Sequence, residues 1–121
     1  MKKICFTVML FLTQMTLAIA SPKTIVCTMQ GLKDNLSFVA PQKMGDLPGI
    51  DFSYPADTTI FSMRDGNLLL VAMDHEDKSR LRILISAQTS KTSSMYKGQF
   101  VTDSGDNELQ LDNGPVSCVF K

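Results

Sequence analysis

Tryptophan is absent from the 121 residues, histidine occurs once and cysteine three times. These scarcities narrow the chemistry first. A structural zinc site needs four nitrogen or sulfur ligands, and His75 with Cys5, Cys27 and Cys118 offers no CxxC pair. No GxSxG elbow, HExxH, P-loop or GxGxxG pattern occurs. A triad could still assemble in space, but it would use a histidine that lies in the turn-like stretch MDHEDKSR. The expectation is a chain that is not an enzyme and carries no cofactor.

An excess of positive charge is also missing, with 12 basic against 12 acidic residues. A phosphate-tracking surface needs clustered Lys and Arg, and the densest basic spot, Lys78 to Arg82, holds three charges. No nucleic-acid partner is expected.

Long apolar runs are lacking after the N-terminus. Lys2 and Lys3 precede an apolar core from Ile4 to Leu12, and Ala18-Ile19-Ala20 supplies the small residues of a cleavage site before Ser21. Thr7, Thr13, Gln14 and Thr16 interrupt the segment, which is short for a hydrocarbon core of about 30 Å. Residues 1–20 therefore read as a cleaved bacterial signal peptide and 21–121 as a single exported domain, periplasmic or secreted, with no transmembrane segment. The mature chain keeps ten basic and twelve acidic residues.

Cys5 leaves with the signal, so Cys27 and Cys118 remain. Acylation of Cys27 would want a small residue before it, but Val26 stands there. A nucleophilic Cys27 would need a base such as His75 within reach. In an oxidising compartment two cysteines read as a disulfide, and one pairing is available.

Periodicity favours strands throughout. Ile25, Cys27 and Met29 share one face of 24–30, and Val116, Cys118 and Phe120 share one face of 115–121, so both cysteines point inward. Asp65-Gly66 is a hairpin dipeptide joining strands near 58–63 and 67–73. In 80–88, Leu81, Ile83, Ile85 and Ala87 alternate with Arg82, Leu84, Ser86 and Gln88, which places Arg82 on the polar face. Further strands are expected at 36–40, 50–54, 95–102 and 108–111. Turns are expected at 103–106, where Gly105 would supply positive φ, and at Asp112-Asn113-Gly114-Pro115. Seven or eight short strands with such turns predict an all-β fold, a small antiparallel barrel or sandwich with its terminal strands joined by the disulfide.

Asp74, His75, Glu76 and Asp77 offer consecutive donors, but adjacent residues cannot all face one point and the EF-hand spacing is absent. A charged hairpin tip is expected there, and no metal site. DSGDNE at 103–108 reads the same way. The longest connector, Ala40 to Gly49, carries Pro41, Met44, Leu47 and Pro48, an apolar and semi-rigid set. With Asp74 and His75 these are the candidate binding residues. The functional expectation is a non-catalytic binding module for a protein or cell-envelope component. The alternative is an assembly component that pairs through a sheet edge.

The signal peptide, a domain near 100 residues, terminal cysteines and the all-β pattern together resemble bacterial lysozyme inhibitors of the small barrel type. That resemblance implies a periplasmic inhibitor. The family's serine-glycine-aromatic loop has only Ser93-Ser94-Met95-Tyr96-Lys97-Gly98 as a counterpart, and tryptophan is missing. No functional residue is carried over.

Overall fold

In the computed structural model, residues 23–90 and 92–121 are described. The expected signal peptide and its cleavage site lie outside them. Seven strands follow one another: β1 (Thr24–Met29), β2 (Leu36–Val39), β3 (Ala56–Arg64), β4 (Asn67–Asp74), β5 (Leu81–Gln88), β6 (Tyr96–Asp103) and β7 (Leu111–Phe120). They form one antiparallel sheet in the order β2-β1-β7-β6-β5-β4-β3. The sheet curls into a half-barrel, which decides between the barrel and sandwich readings.

The concave face holds the core. Ile25 and Cys27 on β1, Leu68, Leu70 and Ala72 on β4, Ile83, Ile85 and Ala87 on β5, and Phe100 on β6 are all buried. Each set steps by two, as a pleated strand requires. Between β3 and β4, Asp65 (φ 56°) and Gly66 (φ 77°) both take the left-handed conformation that a two-residue hairpin needs, and Arg64 pairs with Asn67 around them.

Cys27 lies opposite Cys118 in the β1–β7 ladder and is bonded to it, with the Cα atoms 4.0 Å apart. Three rungs away in each direction, Gln30 N donates to Pro115 O and Lys121 N to Thr24 O, which marks those two rungs as hydrogen-bonded pairs. By alternation the cysteines occupy a non-hydrogen-bonded rung, where side chains approach most closely.

Two sequence expectations fail along β7. The expected strand at 108–111 is a loop from 104 to 110, and the expected turn at 112–115 is extended strand. Tertiary pairing overrides the local turn signals: Thr102, Val101, Phe100 and Gln99 on β6 pair with Asp112, Asn113, Gly114 and Pro115. Gly114 lies beside the Phe100 ring, where a Cβ would sit 3.5 Å from it. Pro115 falls where the β1 ladder ends, so the donor it lacks belongs to a terminal rung.

Six antiparallel steps separate β2 from β3, so the two edge strands run in the same direction. Their connector, 40–55, must travel back the length of the half-barrel. It does so with strand-like alternation: Pro48 is buried and Ile50, Phe52 and Tyr54 are half-buried, while Leu47, Gly49, Asp51, Ser53 and Pro55 are exposed. Ile50 and Phe52 pack against the core. Yet no strand is formed, and among the described residues no backbone hydrogen bond ties 47–54 to either edge. The expected strand at 50–54 thus has the right faces without the ladder. Pro48 and Pro55 remove two donors, and Gly49 carries no side chain to pack. The segment serves as an eighth stave held by side chains.

Candidate functional site

Two regions border this stave. At one end of the half-barrel, called the mouth, lie the loops 30–35, 75–80 and 104–110. At the opposite, hairpin end lie Asp65-Gly66 and the start of the 40–55 connector.

Beneath the mouth is a buried ionic cluster that the alternation of β5 did not foresee. In the β4–β5 ladder Ala72 pairs with Ile83 but Met73 pairs with Leu81, so Arg82 is an extra residue. A bulge of this kind turns two successive side chains to one side. Arg82 and Ile83 are both buried as a result, correcting the expectation that Arg82 faces solvent with Ser86 and Gln88. Arg82 Nε donates to Asp74 Oδ1 at 2.7 Å, and its Nη1 donates to the carbonyls of Asp103 and Gly105 at 2.9 and 2.7 Å. Asp74 Oδ2 accepts the amides of Glu76 and Asp77. The Asp77 amide, then Arg82, hold the Asp74 carboxyl down at about 2.

Arg80 and Asp103 form the neighbouring pair. Arg80 Nε donates to Asp103 Oδ2 at 2.7 Å, while its two Nη atoms reach the carbonyls of Asp106 and Gly105. Asp103 Oδ1 accepts the amides of Gly105 and Gln110. Arg80 foremost, then those amides, hold its carboxyl well below the usual range. Gly105 does not have the expected positive φ. It is needed for space, because a Cβ there would overlap Glu108 O and crowd Gln110 N. Among the described residues no buried side-chain nitrogen or oxygen lacks a partner. Each carboxylate and guanidinium group of the cluster thus already makes hydrogen bonds within the fold.

Above the cluster, the Arg82 guanidinium lies 5.2 Å from the Tyr54 ring centroid, and the Tyr54 hydroxyl shares a 2.7 Å hydrogen bond with Thr102 Oγ1. Burial pushes the Tyr54 phenol up, against the opposing effect of that hydrogen bond. Tyr54 and Phe52 stack at 6.2 Å and 15° and form one wall of a cavity of about 600 Å³ at the mouth. Its floor is made by the buried Met29, Leu36, Ile83 and Thr102. Asp34, Asp51 and Lys33 line it as exposed residues and Asp112 as a half-buried one.

Of the residues singled out from sequence, Asp74 belongs to the ionic cluster, where it caps the 75–77 turn. His75 is exposed, and its Nδ1 meets Asp57 Oδ2 at 2.8 Å, with Lys78 Nζ at 3.3 Å on the same oxygen. His75 first, then Lys78, lower the Asp57 carboxyl. Among the described residues no three His, Cys, Asp or Glu side chains are placed to hold a metal ion.

Pro41, Met44, Leu47 and Pro48 are brought to the hairpin end and the seam. Pro48 is buried, but Met44 is 79% exposed and Leu47 50%. A groove of about 430 Å³ separates 40–46 from Phe61 to Arg64 on β3, crossed by Arg64 Nη1 donating to Met44 Sδ at 3.5 Å. Sequence reasoning missed Phe52, Tyr54 and the mouth. The signal that could have found them is the alternation of Pro48, Ile50, Phe52 and Tyr54.

On the convex face, register aligns Ile60, Val71, Leu84 and Val101 in one apolar row across four strands. No protein family, characterised protein or solved structure matches this chain.

Proposed function

We propose that the chain is an exported, non-catalytic binding module that engages a protein or cell-envelope component through segment 40–49. The observation that carries the reading is the pairing of two properties in that segment. It presents Met44 and Leu47 to solvent, and past the Ala40 N to Lys23 O hydrogen bond no sheet ladder holds it. A connector of this length on a rigid scaffold is where binding function concentrates, and clustered exposed apolar side chains mark contact surfaces. The groove beneath it gives an incoming side chain a place to lodge. The ionic cluster supports a non-catalytic role, since its charges are already paired. Export rests on residues 1–20 and on the bridge, which needs an oxidising compartment.

The test is capture from envelope extracts with the oxidised protein, followed by titration of the purified partner. Saturation at one to one, weakened at least about tenfold by Met44→Ser with Leu47→Ser while unfolding is unchanged, is the expected result. A partner held equally well by that variant would overturn the reading.

Assembly through a sheet edge is the second reading, favoured by β3, nine residues long and hydrogen-bonded to one neighbouring strand among the described residues. Its bulge lies at Thr59, between Thr58 and Ile60, and interrupts the regular register that strand addition uses.

A further inference from the structure

The mouth cavity is a second site, independent of segment 40–49 and at the opposite end of the half-barrel. We propose that it binds a linear aliphatic polyamine, with ammonium groups at the rim and methylenes along the floor and aromatic wall.

Three features select that chemistry. The first is the sign of the rim. Asp34 comes from the β1–β2 loop, Asp51 from the 40–55 connector and Asp112 from β7, so three separate elements each bring a carboxylate, against the single cation Lys33. None of these four joins an ion pair among the described residues. The second is the interior. Met29, Leu36 and Ile83 form an apolar floor, and stacked Phe52 and Tyr54 form an aromatic wall against which methylenes can pack. The third is the cancellation of the nearby arginines: Arg82 is paired with Asp74 and Arg80 with Asp103. Their charges do not invite an anion, and the field in the opening is that of the rim.

A cleft of one sign with low-dielectric walls concentrates counter-ions, but charge alone would hold any cation equally. The floor adds the discrimination. Methylenes laid on apolar side chains leave water, at roughly 0.8 kcal/mol for each one buried. Affinity therefore rises with the length of the alkyl chain between ammonium groups. A cavity of about 600 Å³ is within the usual size for a small organic ligand, roughly 300–1,000 Å³.

Titration calorimetry of the oxidised protein with spermidine at low ionic strength tests the proposal. Saturation at one to one with a Kd below about 1 mM is expected, together with weaker binding of ethylenediamine than of cadaverine. Asp51→Asn with Asp112→Asn weakens spermidine binding about tenfold or more, whereas Asp46→Asn, a carboxylate near the hairpin end, leaves it unchanged. The Phe52 and Tyr54 ring signals shift on saturation. Failure to saturate, unchanged affinity in the double variant, or magnesium binding as tightly as spermidine would overturn it. Loss of the envelope partner in the Met44 and Leu47 variant bears on segment 40–49 alone and leaves this site standing.

Discussion

Cys27 and Cys118 face each other on one rung of the β1–β7 ladder, 91 residues apart in sequence, and the bond between them closes nearly the whole described domain. Neither is on an edge strand. The bridge locks the register of β1 and β7, and through β1 it fixes β2, whose four residues pair with no other strand among the described residues.

Replacing both cysteines with serine should cost on the order of 4 to 5 kcal/mol, because a loop of roughly 100 residues is released in the unfolded chain. Urea unfolding of the wild type with and without reductant, beside the double variant, measures it. Coincident midpoints for oxidised and reduced protein would show that the bridge adds nothing.

Acid should weaken the fold through the mouth cluster. Asp74 is held at about 2 against an ordinary 3.8, and Asp103 is also lowered. A carboxyl lowered in the folded state contributes stability that is present above the unfolded value and lost as pH falls through the folded one. Stability should be level above about pH 5 and decline from about pH 4 to about pH 2. Replacing Asp74 with Asn should flatten that decline in part, as read from unfolding midpoints across the range.

Gly98 and Gly114 should respond differently to alanine. A Cβ at 98 would overlap the Ser86 carbonyl and the Ala87 backbone across the β5–β6 ladder, while one at 114 meets the Phe100 ring at ordinary contact distance. Gly98→Ala should lose at least about 1 to 3 kcal/mol by overpacking against backbone, and Gly114→Ala less than about 1.5 kcal/mol. Thermal unfolding of both variants separates the two cases.

Tyr54→Phe removes the partner of Thr102 Oγ1, which is buried. The expected cost is about 1 to 3 kcal/mol for an unsatisfied hydroxyl. Adding Thr102→Val should recover part of it, since both polar partners are then gone. Additive losses in the double variant would contradict the coupling.

Much of this fold was legible in the sequence where local pattern and tertiary pairing agree. Inward Cys27 and Cys118 and the Asp65-Gly66 hairpin needed only period two and turn chemistry. Arg82 was not legible, because alternation cannot announce the extra residue that a bulge inserts. Asp112 to Pro115 has the composition of a turn, and only the presence of β6 makes it strand. The connector is the mixed case: a strand is expected at 50–54 and the segment does alternate, with Ile50, Phe52 and Tyr54 half-buried, but Pro48 and Pro55 lack donors and no ladder forms. The candidate site suffered most, because the mouth gathers Asp34, Asp51 and Asp112 from three distant stretches.

Segment 47–54 closes the half-barrel through side chains alone. Amide hydrogen exchange tests it directly. Fast exchange is expected for Gly49 to Tyr54, near the rate of an open chain, while Val26, Thr28, Ser117 and Val119 in the bridged ladder exchange only on global unfolding. Protection of the connector amides equal to that of β1 and β7 would mean a hydrogen-bonded eighth strand, and would contradict it.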